Sequence, residues 1–282
     1  MRLEYRIPSP HLQPFLTVYA LVSGFGGAFH ETAPAMLPNL HIRLSGEATY
    51  QFENSAPIVA PRVSLIGPTC RAYQVDVSAQ GHIVAVGFLP LGWLTILRMP
   101  ACEVADDLVD GEALWGRATV DRLVDRLLGC VDDAGRVAEL EVFLSTQLCR
   151  PAAHSLACAS ATVDAWLERS AHLSLDQLMD QVGVGARHLR RLTLQTHGMS
   201  PKTLAMKYRA LRAAASFVIS DAQDLEAEAP SLFADQSHLT RDFRQFLGWT
   251  PGAFAGVPAS LAAATLCGRR RAGAKRPLVL LS

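Results

Sequence analysis

The sequence predicts an α+β protein, with a β-rich barrel or sandwich domain over residues 1–150 and an all-α domain after it. Three observations predict this. Up to about residue 90, short apolar or alternating runs are separated by Pro and Gly, as strands are. Beyond residue 120 the apolar spacing changes to the helical period. The chain has 282 residues, enough for two cores.

The elements follow in order. "FLTVYALVS" (15–23), "LHIRLSGEATYQF" (40–52), "RVSLIG" (62–67) and "HIVAVGF" (82–88) read as strands, with turns at "MLPN", "LSGE" and "GPT". "DRLVDRLLGCV" (121–131) and "VAELEVFLSTQL" (137–148) read as amphipathic helices. A break is expected at 149–160, where Pro151 interrupts helix and small residues dominate. From 161 to 254 everything reads as helix. Ser174 can cap "LDQLMDQV", with Leu175, Leu178, Met179 and Val182 on one face. Gly183-Val184-Gly185 makes a tight turn into "ARHLRRLTLQTH", which ends at Gly198. Ser200-Pro201 opens a long helix to about Ile219, with Leu204, Tyr208, Leu211, Ala215 and Val218 inward. "LEAEAPSL", a turn and a helix over 236–247 complete the domain. In that helix Leu239, Phe243, Phe246 and Leu247 form the apolar stripe.

Formal net charge is zero, so any nucleic-acid surface must be a local patch. The cysteines at 70, 102, 130, 149, 158 and 267 lack C-x2-C spacing, which argues against a zinc or redox motif. "MRLEYRIPSP" has no apolar leader core, and no run of about 18 apolar residues exists. A cytoplasmic protein with reduced thiols is expected, its cysteines serving mainly as small buried hydrophobes. His30, His41 and His82 stand alone, so no metal, cofactor or catalytic residue is expected. Trp93 and Trp115 are read as packing residues rather than pocket walls.

Two units of short helix, tight turn and second helix occur, the second helices starting near Ala186 and Gln236. A helix-turn-helix lays its second helix in the DNA major groove. The long helix between the units is roughly 28 Å at 1.5 Å per residue, close to the ~34 Å between successive grooves. Seven basic residues lie between Ala186 and Arg212 with no acid: Arg187, Arg190, Arg191, Lys202, Lys207, Arg209 and Arg212. Arginine suits bidentate contact with guanine, and Gln, Ser, Thr and His suit other base edges or phosphates.

"LSLDQLMDQVGVGARHLRRL", "HGMSPKTLAMKYRALRAA" and "FADQSHLTRDFRQFLGWTP" together make residues 173–254 resemble the DNA-binding domain of the AraC/XylS family of bacterial transcription regulators. The last stretch carries that family's S-x-L-x-R-x-F core followed by G-x-T-P. "MLPNLHIRL" and "VGFLPLGWLTILRMPACEVAD" are similar to a cupin-like β domain found on some members. The resemblance implies a double helix-turn-helix domain at 160–256 that binds double-stranded DNA, with RNA polymerase as a partner and transcription activation as the expected outcome. Arg187, Arg190 and Arg191 would read bases in the first unit; Gln236, Ser237, His238 and Arg241 would read them in the second. Thr240 and Arg244 would hold phosphate. Asp235 would cap the second reading helix, and Gly198 and Gly248 would end the two. In the related regulators the N-terminal domain binds a small effector, mediates homodimer formation, or both.

The sequence departs from the family pattern at Met179 (usually small) and Thr193 (usually Phe). It departs again at Pro230, inside the second unit's first helix, and at Leu232, in place of a turn glycine. Asp224, Glu226 and Glu228 also lie near a surface that must approach phosphate. A second unit weaker than the first is therefore expected. The leucine faces at 121–131 and 137–148 leave two roles open, a dimer interface or closure of the β domain's own core. The basic tail at 257–282 is read as disordered. Two rival readings remain: a degenerate regulator acting through protein contacts, and a β-barrel metal enzyme fused to a helical module.

Overall fold

The computed structural model describes residues 1–53, 55–148, 153–169, 173–218, 236–255 and 260–281. Ten strands come first: β1 (Arg2–Arg6), β2 (Leu16–Ser23), β3 (Phe29–Ala33), β4 (Asn39–Ser45), β5 (Ala48–Gln51), β6 (Ile58–Val59), β7 (Val63–Ile66), β8 (Tyr73–Val77), β9 (His82–Phe88) and β10 (Leu108–Asp110). They form two antiparallel sheets in a sandwich-like arrangement, ordered β1-β2-β9-β4-β7-β10 and β3-β8-β5-β6.

Strand β9 explains the design. Ile83 and Ala85 join the core against the small sheet, while Val84, Val86 and Phe88 join a second core on the other face. A strand covered on both faces reads as an unbroken apolar run, and "HIVAVGF" does. The chain leaves the large sheet after β4 through Gly46 (φ +74°), where a Cβ would stand 2.8 Å from the Gly81 nitrogen. Only glycine fits both the left-handed backbone and that approach.

Short helices α1 (Pro90–Gly92) and α2 (Gly111–Trp115) flank β10. Then α3 (Arg117–Gly129) and α4 (Asp133–Gln147) cover the outer face of the large sheet. Val120, Leu123, Val124 and Leu127 of α3, with Val137, Leu140 and Leu144 of α4, belong to the β domain's second core. The leucine faces therefore close that core. Leu128, Val131 and Val142 stay exposed on the far side. Trp93 is fully buried with its Nε1 donating to the Met99 carbonyl at 2.7 Å, and Trp115 stacks edge-on against Phe143. Both are packing residues.

The helical half runs α5 (His154–Arg169), α6 (Leu175–Val182), α7 (Ala186–His197), α8 (Pro201–Val218), α9 (Gln236–Leu247), α10 (Pro251–Ala255), α11 (Leu261–Arg271) and α12 (Pro277–Leu281). Its core is not self-contained. Val18, Ala35, Leu37 and Leu89 of the β domain share one cluster with Leu204, Tyr208, Phe243, Phe246 and Leu278.

Three expectations are corrected here. The break read at 149–160 is already helix from His154, because Ala, Leu and Ser propagate a helix once one face is buried, and Ser160 is fully buried. The tail read as disordered folds as α11 and α12, anchored by Leu266, Leu278 and Leu281 in the shared core. Among the described residues no cysteine is fully buried: Cys70, Cys130 and Cys267 are half-buried, and Cys102 and Cys158 exposed. The features read at Asp224, Glu226, Glu228, Pro230, Leu232 and Asp235 lie outside the described residues. Among those described, no helix is long and apolar enough to cross a membrane, and no three His, Cys, Asp or Glu side chains gather as a metal site would require.

Candidate nucleic-acid interface

The first unit is built from α6 and α7. The Ser174 hydroxyl accepts from the Gln177 amide at 3.4 Å and caps α6. Gly183 ends that helix at φ +72°, its amide donating to the Met179 carbonyl at 2.9 Å. Helix α7 then buries Leu189 (2%) and Leu192 (6%) and leaves Arg187, Arg190 and Arg191 exposed on the opposite side. Thr193, where the family pattern has a larger residue, is fully buried and returns its hydroxyl to the Arg190 carbonyl. Met179 is half-buried against the shared core.

In the second unit α9 buries Phe243, Phe246 and Leu247, with Leu239 half-buried. Burying two phenylalanines contributes about 1.5–3 kcal/mol each. Ser237, His238, Arg241 and Arg244 are exposed and Thr240 half-buried. Gln236 starts the helix, and its side chain lies outside the described residues.

The seven-residue basic stretch divides in two. Arg187, Arg190, Arg191 and Lys202 are exposed. The other three face inward. The Lys207 ammonium is buried and donates to the Met36 carbonyl at 2.8 Å and the Thr69 carbonyl at 3.2 Å, both in the β domain. Burial pulls its pKa down to about 8. Arg209 pairs with the buried Asp242 of α9 at 2.7 Å. Arg212 donates to the Leu167 and Glu168 carbonyls at 2.6 and 3.1 Å and so caps the end of α5.

These inward roles were missed, yet periodicity carried the signal. Lys207 lies between Leu204 and Tyr208 on an i, i+3, i+4 stripe, and Asp242 stands three residues after Leu239 and one before Phe243. A charge inside an apolar stripe calls for a buried partner.

The β domain meets both α7 and α9 at their C-terminal ends. Gly198 and Gly248, each at φ +78°, end α7 and α9. A Cβ on Gly198 would stand 2.3 Å from Pro68, and one on Gly248 2.3 Å from Thr32. Two backbone bonds fasten α9: the Ala35 amide donates to the Phe246 carbonyl at 2.7 Å and the Ala72 amide to the Gln245 carbonyl at 2.8 Å. An open cleft beside α7 sets Cys102 and Glu103 near Arg187, Arg190 and Arg191. Another beside α9 sets Glu53 and Arg71, themselves paired at 3.0 Å, near Ser237, Thr240, Arg241 and Arg244.

Residues 178–256 match the family model of a helix-turn-helix domain. No curated protein matches the chain. Among solved structures, ToxT from Vibrio cholerae O395 is 12% identical with a TM-score of 0.46, over 86% of this chain and 97% of that one. Wild-type ToxT from the same organism, solved with an unsaturated fatty acid bound, is 10% identical with a TM-score of 0.47, over 84% and 94%. The AraC-like transcriptional activator CuxR is 13% identical with a TM-score of 0.33, over 76% and 87%. Residues 178–256 thus match a helix-turn-helix domain, which follows a two-sheet β domain in the chain.

Proposed function

We propose that this protein binds double-stranded DNA sequence-specifically and regulates transcription, with α7 and α9 each presenting its N-terminal half to a major groove. The observation that carries the reading is α7: one face is buried to fix the helix, and the other offers three exposed arginines at its N-terminal half. Arg187, Arg190 and Arg191 read bases there, and Gln236, Ser237, His238 and Arg241 do so on α9, with Thr240 and Arg244 on phosphate. The 18 residues of α8, about 27 Å long, set the two units near the ~34 Å groove repeat. The β domain is the sensing and dimerising half, controlled by a small effector. The protein acts in the cytoplasm as a homodimer and activates by contact with RNA polymerase.

The test is retention on a genomic DNA library that includes the region upstream of the protein's own gene. Sequence-selective retention that falls steeply with salt is expected. Absence of sequence preference at low salt overturns the proposal and favours action through protein contacts.

A further inference from the structure

The β domain reaches the exposed side of α9. The loop between β7 and β8 passes this helix, its backbone pinned on both sides of Arg71. The Cys70 amide donates to the Asp106 carboxylate at 2.7 Å, and the Ala72 amide to the Gln245 carbonyl of α9 at 2.8 Å. Residue 71 therefore has a fixed place beside α9, although it belongs to the other domain. Its side chain is 45% exposed and keeps the freedom to turn.

Arg71 enters the open cleft of about 840 Å³ that also holds Ser237, Thr240, Arg241 and Arg244. Those four recur at three- and four-residue spacing, so one face of α9 forms a wall of the cleft. Among the described residues, three guanidinium groups and one carboxylate line it. The carboxylate is Glu53. Arg71 donates to it twice, from Nη1 to Oε1 at 3.0 Å and from Nε to Oε2 at 2.5 Å. Both partners are about half exposed. An exposed ion pair of this kind contributes little in water, so exchanging its carboxylate for another anion costs little. The fork of parallel N–H donors that fits a carboxylate fits a phosphate equally well.

We propose that Arg71 is a DNA-backbone contact supplied by the β domain. As α9 enters the major groove, Arg71 leaves Glu53 and grips a phosphate beside those held by Thr240 and Arg244. This rests on the DNA-binding reading of α9 and extends the interface beyond the helix-turn-helix domain. Glu53 is then an internal competitor, a carboxylate that occupies the phosphate's place in the free protein and repels the strand. A free phosphate has the same chemistry. Three guanidinium groups along a wall of ~10 Å suit the successive phosphates of a strand better than one small anion. Since the Ala72–Gln245 bond sets where Arg71 stands, a shift of the β domain against α9 changes DNA affinity without touching α7.

The experiment measures binding of full-length protein to a duplex selected from the genomic library and to a scrambled duplex of equal length, over a range of salt. In Arg71→Ala the plot of log affinity against log salt should be shallower by about 0.9. Affinity should fall about five- to tenfold on both duplexes alike. Arg71→Lys keeps the charge and should restore the slope. Glu53→Gln should tighten binding about two- to threefold. A slope unchanged in Arg71→Ala, or not restored by Arg71→Lys, overturns the proposal. So does a loss confined to the selected duplex, which makes Arg71 a base contact, or a Glu53→Gln affinity that stays level or falls.

A parallel series adds inorganic phosphate at constant ionic strength. Equal displacement of DNA from wild type and Arg71→Ala is expected. Displacement from the wild type alone assigns the cleft to a free anion and overturns the proposal. A wild type that retains no DNA overturns both this and the DNA-binding reading. Failure of this proposal by itself leaves wild-type retention and its salt dependence in place, so the two failures are distinct.

Discussion

Helices α7 and α9 are both 12 residues long and both end at a glycine of φ +78°, yet the protein holds them differently. The carbonyls of Gln245 and Phe246 on α9 accept backbone amides of the β domain, and Asp242 is tied to Arg209 of α8. On α7 the corresponding contact is packing, with Gly198 against Pro68 and its exposed arginines beside Glu103. The buried His197 of α7 bonds Asp164 of α5 at 2.9 Å, within its own domain. Helix α7 is thus positioned mainly by the helical domain, and α9 by backbone bonds from the β domain as well. An effector in the β domain would reach α9 before α7.

The largest expected effect tests the clamp nearest α9. Lys207 has a folded pKa of about 8 against the ordinary 10.5. Unfolding takes up a proton between those values, so stability from this group is present above 10.5 and lost as pH falls through about 8. The span is worth up to ~3 kcal/mol. Denaturant melts should show wild type gaining on Lys207→Met as pH rises through that window; a difference flat with pH would remove the buried ammonium from the account.

Next come the exposed arginines proposed to read bases. Arg187→Ala should weaken operator binding by about 1–3 kcal/mol. Arg241→Ala should cost less, about 1 kcal/mol, since α9 is restrained by the β domain in the unliganded form. Equal large losses in a gel-shift titration would end the asymmetry.

The helix-ending glycines sharpen the packing side of the comparison. Alanine at positive φ costs about 1–2 kcal/mol at either site. Gly198→Ala also meets the rigid Pro68 ring, whereas Gly248→Ala meets a Thr32 methyl that can rotate. The first should be the more destabilising of the two in urea melts. Smallest of all, Ser174→Ala should cost α6 about 0.5–1 kcal/mol through loss of its cap, with DNA affinity of the folded protein unchanged.

Much of this was legible beforehand. The stretches read at 15–23, 62–67 and 82–88 are β2, β7 and β9, and the run at 40–52 is β4 and β5 on either side of Gly46. Strands β1, β3 and β8 were missed because "RLEYR", "FHETA" and "YQVDV" alternate with charge and lie at or near sheet edges, where solvent takes one face. On α7 and α9 the apolar stripes set which side faces out. The cleft beside α9 was invisible, because Glu53 and Arg71 come from loops far in sequence from the helix they flank.

By itself, the sequence determined the elements and their punctuation: the stripe of Leu239, Phe243 and Phe246, the cap at Ser174, and the glycines that end α6, α7 and α9. Those are local matters, settled by side-chain period and backbone freedom within a few residues. The tertiary structure alone decided which charges face solvent and which are buried. Lys207 and Arg190 are equally basic on paper. Burial against the Met36 and Thr69 carbonyls turns one into a domain clamp. The other stays exposed on α7. Arg71 is the sharpest case, since its place beside α9 follows from the Ala72–Gln245 backbone bond and from nothing in "TCRAY".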